Sequence, residues 1–316
     1  MEKRNLIVGQ SGGPTAVINS SLYGVISEGL SNSNAIGHIY GMVNGIQGLL
    51  KDNYLDFGEV LSEKKLEALK YTPGAYLGSC RYKLPDDLTD SVYLCLLQKL
   101  ENLGVGYLFY IGGNDSMDTV YKLSRYARKV NSNICFLGVP KTIDNDLVLT
   151  DHTPGFGSAA RYVATTVREI TMDAEVYDAQ SVTIVEIMGR HAGWLTAASV
   201  LARRFENDNP LLIYLPEVPF NIENFLKRLK NILKIRKTII VCVSEGIHDS
   251  EGTFLCEYVA SAGIDTFGHK MLAGCGKYLE NLVRQKLGVK VRSVELNVVQ
   301  LDVSVSTLRC IRKQAR

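Results

Sequence analysis

A lysine, a threonine and two aspartates crowd into one stretch, Lys141-Thr142-Ile143-Asp144-Asn145-Asp146, directly after the apolar run 136–140. Two carboxylates at this separation repel, which raises the pKa of one of them, and a neighbouring lysine offsets the repulsion. Phosphoryl transfer needs a base for an alcohol proton, a cation on the transferring group, and oxygen ligands for a metal. All three types are present here. A polar, Asx-rich turn would account for the same letters.

Other short strings carry similar chemistry. In YIGGNDSMDT, Asn114 and Asp115 follow two glycines at the end of an apolar run. An amide and a carboxylate beside backbone N–H groups can hold hydrated Mg2+ and position phosphate oxygens. N-capping by Asn114, Asp115 or Ser116 is the structural alternative. In GQSGGPTAVIN, Gly12 and Gly13 precede a helix expected to open near Pro14 or Thr15. Such a turn lets the backbone approach a phosphate at a helix N-terminus, although a plain strand-to-helix turn reads the same way. The string is neither GxGxxG nor GxxxxGK[ST], so the dinucleotide and Walker fingerprints are missing.

Arg81 and Lys83 follow a glycine turn as a cationic pair suited to phosphate, or to solvent. Gly189-Arg190 closes another apolar run, and an arginine there can clamp a phosphate or carboxylate with two hydrogen bonds. His191 and Trp194, just beyond, read as structural. Glu245 ends a further run; recognition of a sugar hydroxyl would suit it, and so would a helix cap.

These residues need elements to hold them. Apolar runs of strand length occupy 5–13, 106–115, 133–142, 181–190, 210–217, 237–246 and 290–300, with segments of helical period between them. Near-continuous apolar strands alternating with helices indicate mostly parallel sheets covered on both faces. Ligands in such sheets bind at the carboxyl ends of the strands, where the polar strings fall. The expected fold is α/β, with two doubly wound, Rossmann-like domains, 1–150 and 151–300, and the site in the cleft between them. Gly155 and Gly157 would give a flexible entry to the second domain, with Ser158 as N-cap of its first helix.

Composition narrows the class. A formal net charge of +2 over 316 residues argues for neither a nucleic-acid surface nor an acidic tail. No window has the length and apolarity of a membrane span, and the N-terminal apolar run is too short for a signal peptide. Seven scattered cysteines, never spaced CxxC, read as buried hydrophobes in a reducing cytoplasm; a disulfide framework or zinc site is not expected.

Taken together, SGGPTAVIN, LGSCRYK, GGNDSMDT, PKTIDND, TPGFGSA, VEIMGRHAGW, SEGI and RSVELNVVQ resemble the phosphofructokinase family, in the family's order across residues 5–300. The resemblance implies Mg2+-dependent phosphoryl transfer to the 1-hydroxyl of fructose 6-phosphate. It also implies donor contacts by Gly12, Gly13 and Arg81, and metal binding at Asn114. Asp144 becomes the catalytic base. Thr142, Ile143, Asp146, Met188, Gly189, Arg190 and Glu245 become sugar-phosphate contacts. Arg292 matches an arginine that reaches a neighbouring subunit's pocket, so a homo-oligomer, dimer or tetramer, is implied.

ATP-using members carry glycine where this chain has Asp115 and glycine where it has Lys141. The resemblance therefore points to the pyrophosphate-dependent branch, with Asp115 and Lys141 acting at the donor. Two departures accompany it. Asn114 replaces the aspartate of many members, and the family's VQRC continuation is replaced by VVQLDVSVSTLRCIRKQAR, with Leu301 where an arginine is expected. The expectation is a truncated or frameshifted C-terminus over 301–316, a last strand left with uncovered apolar surface and an unpaired sheet edge, and weak or absent activity. An ATP-dependent enzyme, and an inactive homologue that only binds sugar phosphate or joins full-length subunits, are the alternatives. A nicotinamide dehydrogenase would need the missing GxGxxG.

Overall fold

The computed structural model describes residues 3–258 and 274–301, which form two compact units dividing between Thr142 and Ile143. Of the final segment, only Leu301 falls within the described residues.

The first unit is a five-stranded sheet of β1 (Arg4–Gln10), β2 (Ile36–Met42), β3 (Tyr54–Asp56), β4 (Val105–Gly112) and β5 (Cys135–Pro140). The spatial order is β3-β2-β1-β4-β5, parallel except for the β2–β3 pair. Alternate residues of β1 go to opposite faces, as the two-residue repeat of a strand requires. Ile7 packs with Leu108, Tyr93 and Leu96 on one face, and Leu6 and Val8 pack with Ile18, Leu22 and Ile26 on the other. The helix expected from Pro14 or Thr15 begins at Ile18 instead (Ile18–Ser31). A turn closed by the Ile18 N–H on the Thr15 carbonyl, at 3.1 Å, comes first. β2 and β3 have no counterpart among the expected strands, because Gly37, His38, Tyr40 and Gly41 interrupt the apolar pattern of β2.

The second unit is a parallel sheet in the order β7-β8-β6-β9, with β6 (Ser181–Ile187), β7 (Leu212–Tyr214), β8 (Thr238–Ser244) and β9 (Lys290–Glu295). One face buries Val182, Ile184 and Val241 under the helices Ile222–Ile232 and Cys275–Leu287. The other buries Val185, Ile187 and Cys242 under the helix Phe156–Glu175. The cap of that helix is Gly155, at φ 110°, with Ser158 inside the first turn, so the expected serine cap is not formed.

The expected bare last strand is corrected only in part: β9 has both faces covered, but among the described residues it is an edge strand paired to β6 alone, and Val298 and Val299 beyond it are exposed. β9 places Val291 against the helix Cys275–Leu287 and Val294 against the cluster under Phe156–Glu175. Leu301 packs into that second cluster with Ile143, Leu195 and Leu296. The open apolar face lies in the first unit, where Leu6, Val25, Ile36, Tyr107 and Phe109 line a groove of about 440 Å3.

Candidate active site

In each unit the chemistry-bearing residues collect where neighbouring parallel strands end. In the first unit those ends belong to β1, β4 and β5, on either side of the point where strand order reverses.

Gly12 leaves β1 at φ 79°, a left-handed conformation that a side chain would strain. Its turn is fastened to the next loop by three bonds. Ser79 Oγ donates to the Gly12 carbonyl at 2.6 Å, the Gly12 N–H donates to the Cys80 carbonyl at 3.5 Å, and Ser11 Oγ donates to the same carbonyl at 3.3 Å. Arg81 follows immediately and is exposed. Beneath this turn lies a buried amide network. Gln10 Nε2 donates to the Ile18 carbonyl and to Asn19 Oδ1, and its Oε1 accepts the Leu77 N–H at 2.9 Å. Asn19 Nδ2 donates to the carbonyls of Thr72 and Gly74. Gln10 and Asn19 went unremarked in the sequence. Their signal was one amide closing the apolar run of β1 and another in the first turn of the following helix.

Lys141 is 4 % exposed, and its Nζ donates to the Gly13 carbonyl at 2.5 Å. A Cβ added to Gly12 would stand 3.3 Å from that same ammonium. The Lys141 N–H is held by the Gly112 carbonyl at 2.9 Å, so the side chain is aimed by the end of β4. Burying a lysine ammonium is costly without such partners. Asn114 and Asp115 are the first residues of the helix Asn114–Lys129, and both are exposed. Its N-cap is Gly113, with no side-chain capping bond, so the capping alternative is not what these residues do.

In the second unit, β6 runs into Met188, Gly189 and Arg190, and β8 runs into Ser244 and Glu245. Gly189 has φ 133°, its N–H donates to Glu245 Oε1 at 3.3 Å, and its carbonyl accepts from Ser244 Oγ. The Glu245 N–H extends the ladder to the Ile187 carbonyl at 2.8 Å. Burial pushes the Glu245 carboxyl up to about 7; the Gly189 N–H opposes the shift, the Asp144 and Glu186 charges add to it, and Arg190 opposes it. The Asp144 charge thus contributes, less than burial does, to the shift of a carboxylate from a different strand end.

Asn145, at φ 57°, folds the loop beyond Asp144: its Nδ2 donates to the Asp151 carbonyl, and its Oδ1 accepts the Thr153 N–H at 2.8 Å. Ile143 is buried in the core and Asp146 is exposed. Thr142 ends the first unit, so PKTIDND contributes Lys141 to one unit and Asp144 to the other. Glu186, also unremarked in the sequence, is a buried carboxylate that accepts the N–H groups of Gly274 and Gly276 where the helix Cys275–Leu287 begins.

Arg292 stands apart from these groups. It lies in the first half of β9, paired in register with Thr183, with Nη2 on Asp173 Oδ2 at 2.7 Å and Nε on Thr183 Oγ1 at 3.2 Å. His191 sits 6.2 Å, ring to ring, from Phe254, and Trp194 is 55 % exposed.

The model of the family described as phosphofructokinase matches residues 5–311. The chain belongs to the phosphofructokinase family. Family members generally need a divalent metal. Two curated relatives are named pyrophosphate–fructose 6-phosphate 1-phosphotransferase. The one from Rhodospirillum rubrum is 41 % identical over 310 residues, covering 95 % of this chain and 74 % of its own length. The one from Halomonas elongata is 40 % identical over 293 residues, covering 92 % and 69 %. A crystal structure of pyrophosphate-dependent phosphofructokinase from Marinobacter aquaeolei superposes with a TM-score of 0.82 at 37 % identity, covering 98 % of this chain and 73 % of that one. Six cysteines among the described residues are free thiols, and Cys310 lies outside them. No described helix is long and apolar enough to cross a membrane.

Proposed function

We propose that this phosphofructokinase family member is a phosphotransferase that moves a phosphoryl group from pyrophosphate to the 1-hydroxyl of fructose 6-phosphate, giving fructose 1,6-bisphosphate and phosphate. The relatives' names support the substrate pair. The observation that carries the donor choice is the buried Lys141 ammonium against the Gly12-Gly13 turn, with Asp115 in the first turn of the nearby helix. A carboxylate side chain there obstructs and repels the further phosphate of ATP, while the ammonium strengthens the hold on a compact donor.

Asn114 and Asp115 offer oxygen donors, and the described residues contain no group of three His, Cys, Asp or Glu side chains suited to a metal. That donor set fits Mg2+, which takes few protein ligands, keeps its waters and shares phosphate oxygens. When bound, Mg2+ neutralises charge on the phosphates. Gly12, Gly13 and Arg81 hold the donor. Asp144 takes the proton from the sugar hydroxyl, whose oxygen forms the new bond to phosphorus as the bridging P–O bond breaks. Thr142, Ile143, Asp146, Met188, Gly189, Arg190 and Glu245 position the sugar phosphate. Arg292 serves a neighbouring subunit in a homo-oligomer. The unpaired thiols favour a cytoplasmic setting, and the reaction serves glycolysis or its reversal.

One coupled assay separates the readings. Turnover with fructose 6-phosphate and pyrophosphate but not ATP is expected. Turnover with ATP alone overturns the donor choice. A thermal shift with fructose 6-phosphate and no turnover with either donor identifies a binding protein only.

A further inference from the structure

The segment from Arg81 to Asp90 has no regular secondary structure, and its first residue, Arg81, directly follows the loop bonded to the Gly12 turn. Its start is tied to that turn through Ser79 and Cys80. Its middle, at Leu84 and Asp86, meets Lys122, a lysine only 7 % exposed, on the helix that begins with Asn114 and Asp115. The Lys122 ammonium donates to the Leu84 carbonyl at 3.1 Å, pairs with Asp86 Oδ1 at 2.6 Å, and pairs with Asp118 Oδ2, one turn back on its own helix, at 2.8 Å. Tyr93 adds a hydroxyl bond to the Pro85 carbonyl. Burial would lower the Lys122 pKa, but the bonds to Asp118 and Asp86 outweigh it and hold the group above the ordinary lysine value.

Three acceptors on one buried ammonium fix a direction as well as a charge. A surface lysine spends its side-chain freedom in water and contributes little. Here residues 79–86 are held on both sides of Arg81, to the β1 turn through Ser79 and Cys80 and to the donor-side helix through Leu84 and Asp86. Losing Lys122 would remove the bonds to Leu84 and Asp86 and leave the buried Leu84 side chain and the Tyr93–Pro85 bond to hold that side alone, and a group aimed less narrowly binds a compact anion less well.

We propose that Lys122 is a positioning residue for the phosphoryl donor, holding the 81–86 segment so that Arg81 meets pyrophosphate. This rests on the donor reading above. Lys122 does not touch the donor itself; it acts through the loop.

The test measures pyrophosphate binding by calorimetry in the absence of sugar, together with KM for each substrate and Tm. Lys122→Met is expected to weaken pyrophosphate binding about tenfold, with KM for fructose 6-phosphate unchanged within about twofold and Lys122→Arg recovering most of the loss. In an Arg81→Ala background, Lys122→Met is expected to add almost nothing, because residues acting through one contact are not additive. Wild-type pyrophosphate affinity in Lys122→Met overturns the proposal, as does an equal loss of affinity for both substrates or full additivity with Arg81→Ala. If Lys122→Met does not fold, Asp86→Asn, which removes only the exposed partner, is expected to give a smaller loss confined to pyrophosphate; no loss overturns the role. Wild-type protein that fails to bind pyrophosphate removes the donor reading and this role together, whereas binding that Lys122→Met leaves intact removes this role alone.

Discussion

Under the proposed function, Asp144 and Glu245 are the two carboxylates on which the acceptor chemistry would depend. Glu245 follows the end of β8, and the Asp144 charge, in the same unit, is among the causes that raise the Glu245 pKa. Replacing Asp144 with Asn keeps the shape and removes the base. The expected result is a fall in kcat of about 10²- to 10⁴-fold, with KM for fructose 6-phosphate within a few-fold, measured by steady-state kinetics. Glu245 carries a linkage consequence. Its folded pKa, about 7, lies above the ordinary 4.5, so between those values the unfolded chain has released a proton that the folded chain keeps. Stability must then fall as pH rises through that window and level off above it. Glu245→Gln removes this component. The Tm of the variant relative to wild type is expected to rise with pH between 4.5 and about 7 and stay constant beyond; a flat difference would contradict the assignment.

At the scale of elements, the acceptor side depends on how closely the ends of β6 and β8 approach. A Cβ at Gly246 would lie 1.9 Å from the Arg190 carbonyl oxygen and 2.6 Å from its carbon, both backbone atoms that cannot step aside. Gly246→Ala must therefore push the 188–190 turn away from Glu245. The expectation is a loss of about 1–3 kcal/mol in denaturant unfolding and a raised KM for fructose 6-phosphate, with pyrophosphate binding preserved. The elements themselves were largely legible in advance. Seven of the nine strands among the described residues coincide, to within a residue, with expected apolar runs, whereas β2 and β3 do not, because half-buried strands with glycine, histidine and tyrosine lack a continuous apolar signal. Beyond β9, the run to Gln300 becomes a short 3-10 turn, Asn297–Gln300, rather than more strand. Helix starts were the least legible feature: Ile18 and Phe156 begin their helices at turns set by backbone conformation, which no cap residue announced.

At the scale of the whole molecule, Arg292 is the residue that stands away from the strand ends proposed to bind the sugar in its own unit. It sits in the first half of β9, bonded to Asp173 and Thr183, while Gly189 and Glu245 follow the far ends of β6 and β8. If it completes a neighbour's pocket, an Arg292→Ala subunit and an Asp144→Asn subunit repair one another. Random mixing of the two into dimers makes half the dimers mixed, each with one intact site of two, so activity is expected to recover to about a quarter of wild type. Recovery is read after co-refolding or co-expression; none at all would place Arg292 outside any shared site.

Local spacing in the chain determined which residue types stand at strand ends, that the sheets are mostly parallel and covered, and, through PKTIDND, GGNDS and MGR, the family. Those signals are short-range: apolar periodicity and glycine placement are written within ten residues of one another. Only the tertiary structure decided that Lys141 rests on the Gly13 carbonyl, that Asp144 perturbs Glu245, that Gln10 and Asn19 brace the donor turn, and that Lys122 clamps the loop behind Arg81. Each of these joins residues from different strand ends or helices. Their meeting depends on strand order and register, which side-chain spacing along one segment does not encode.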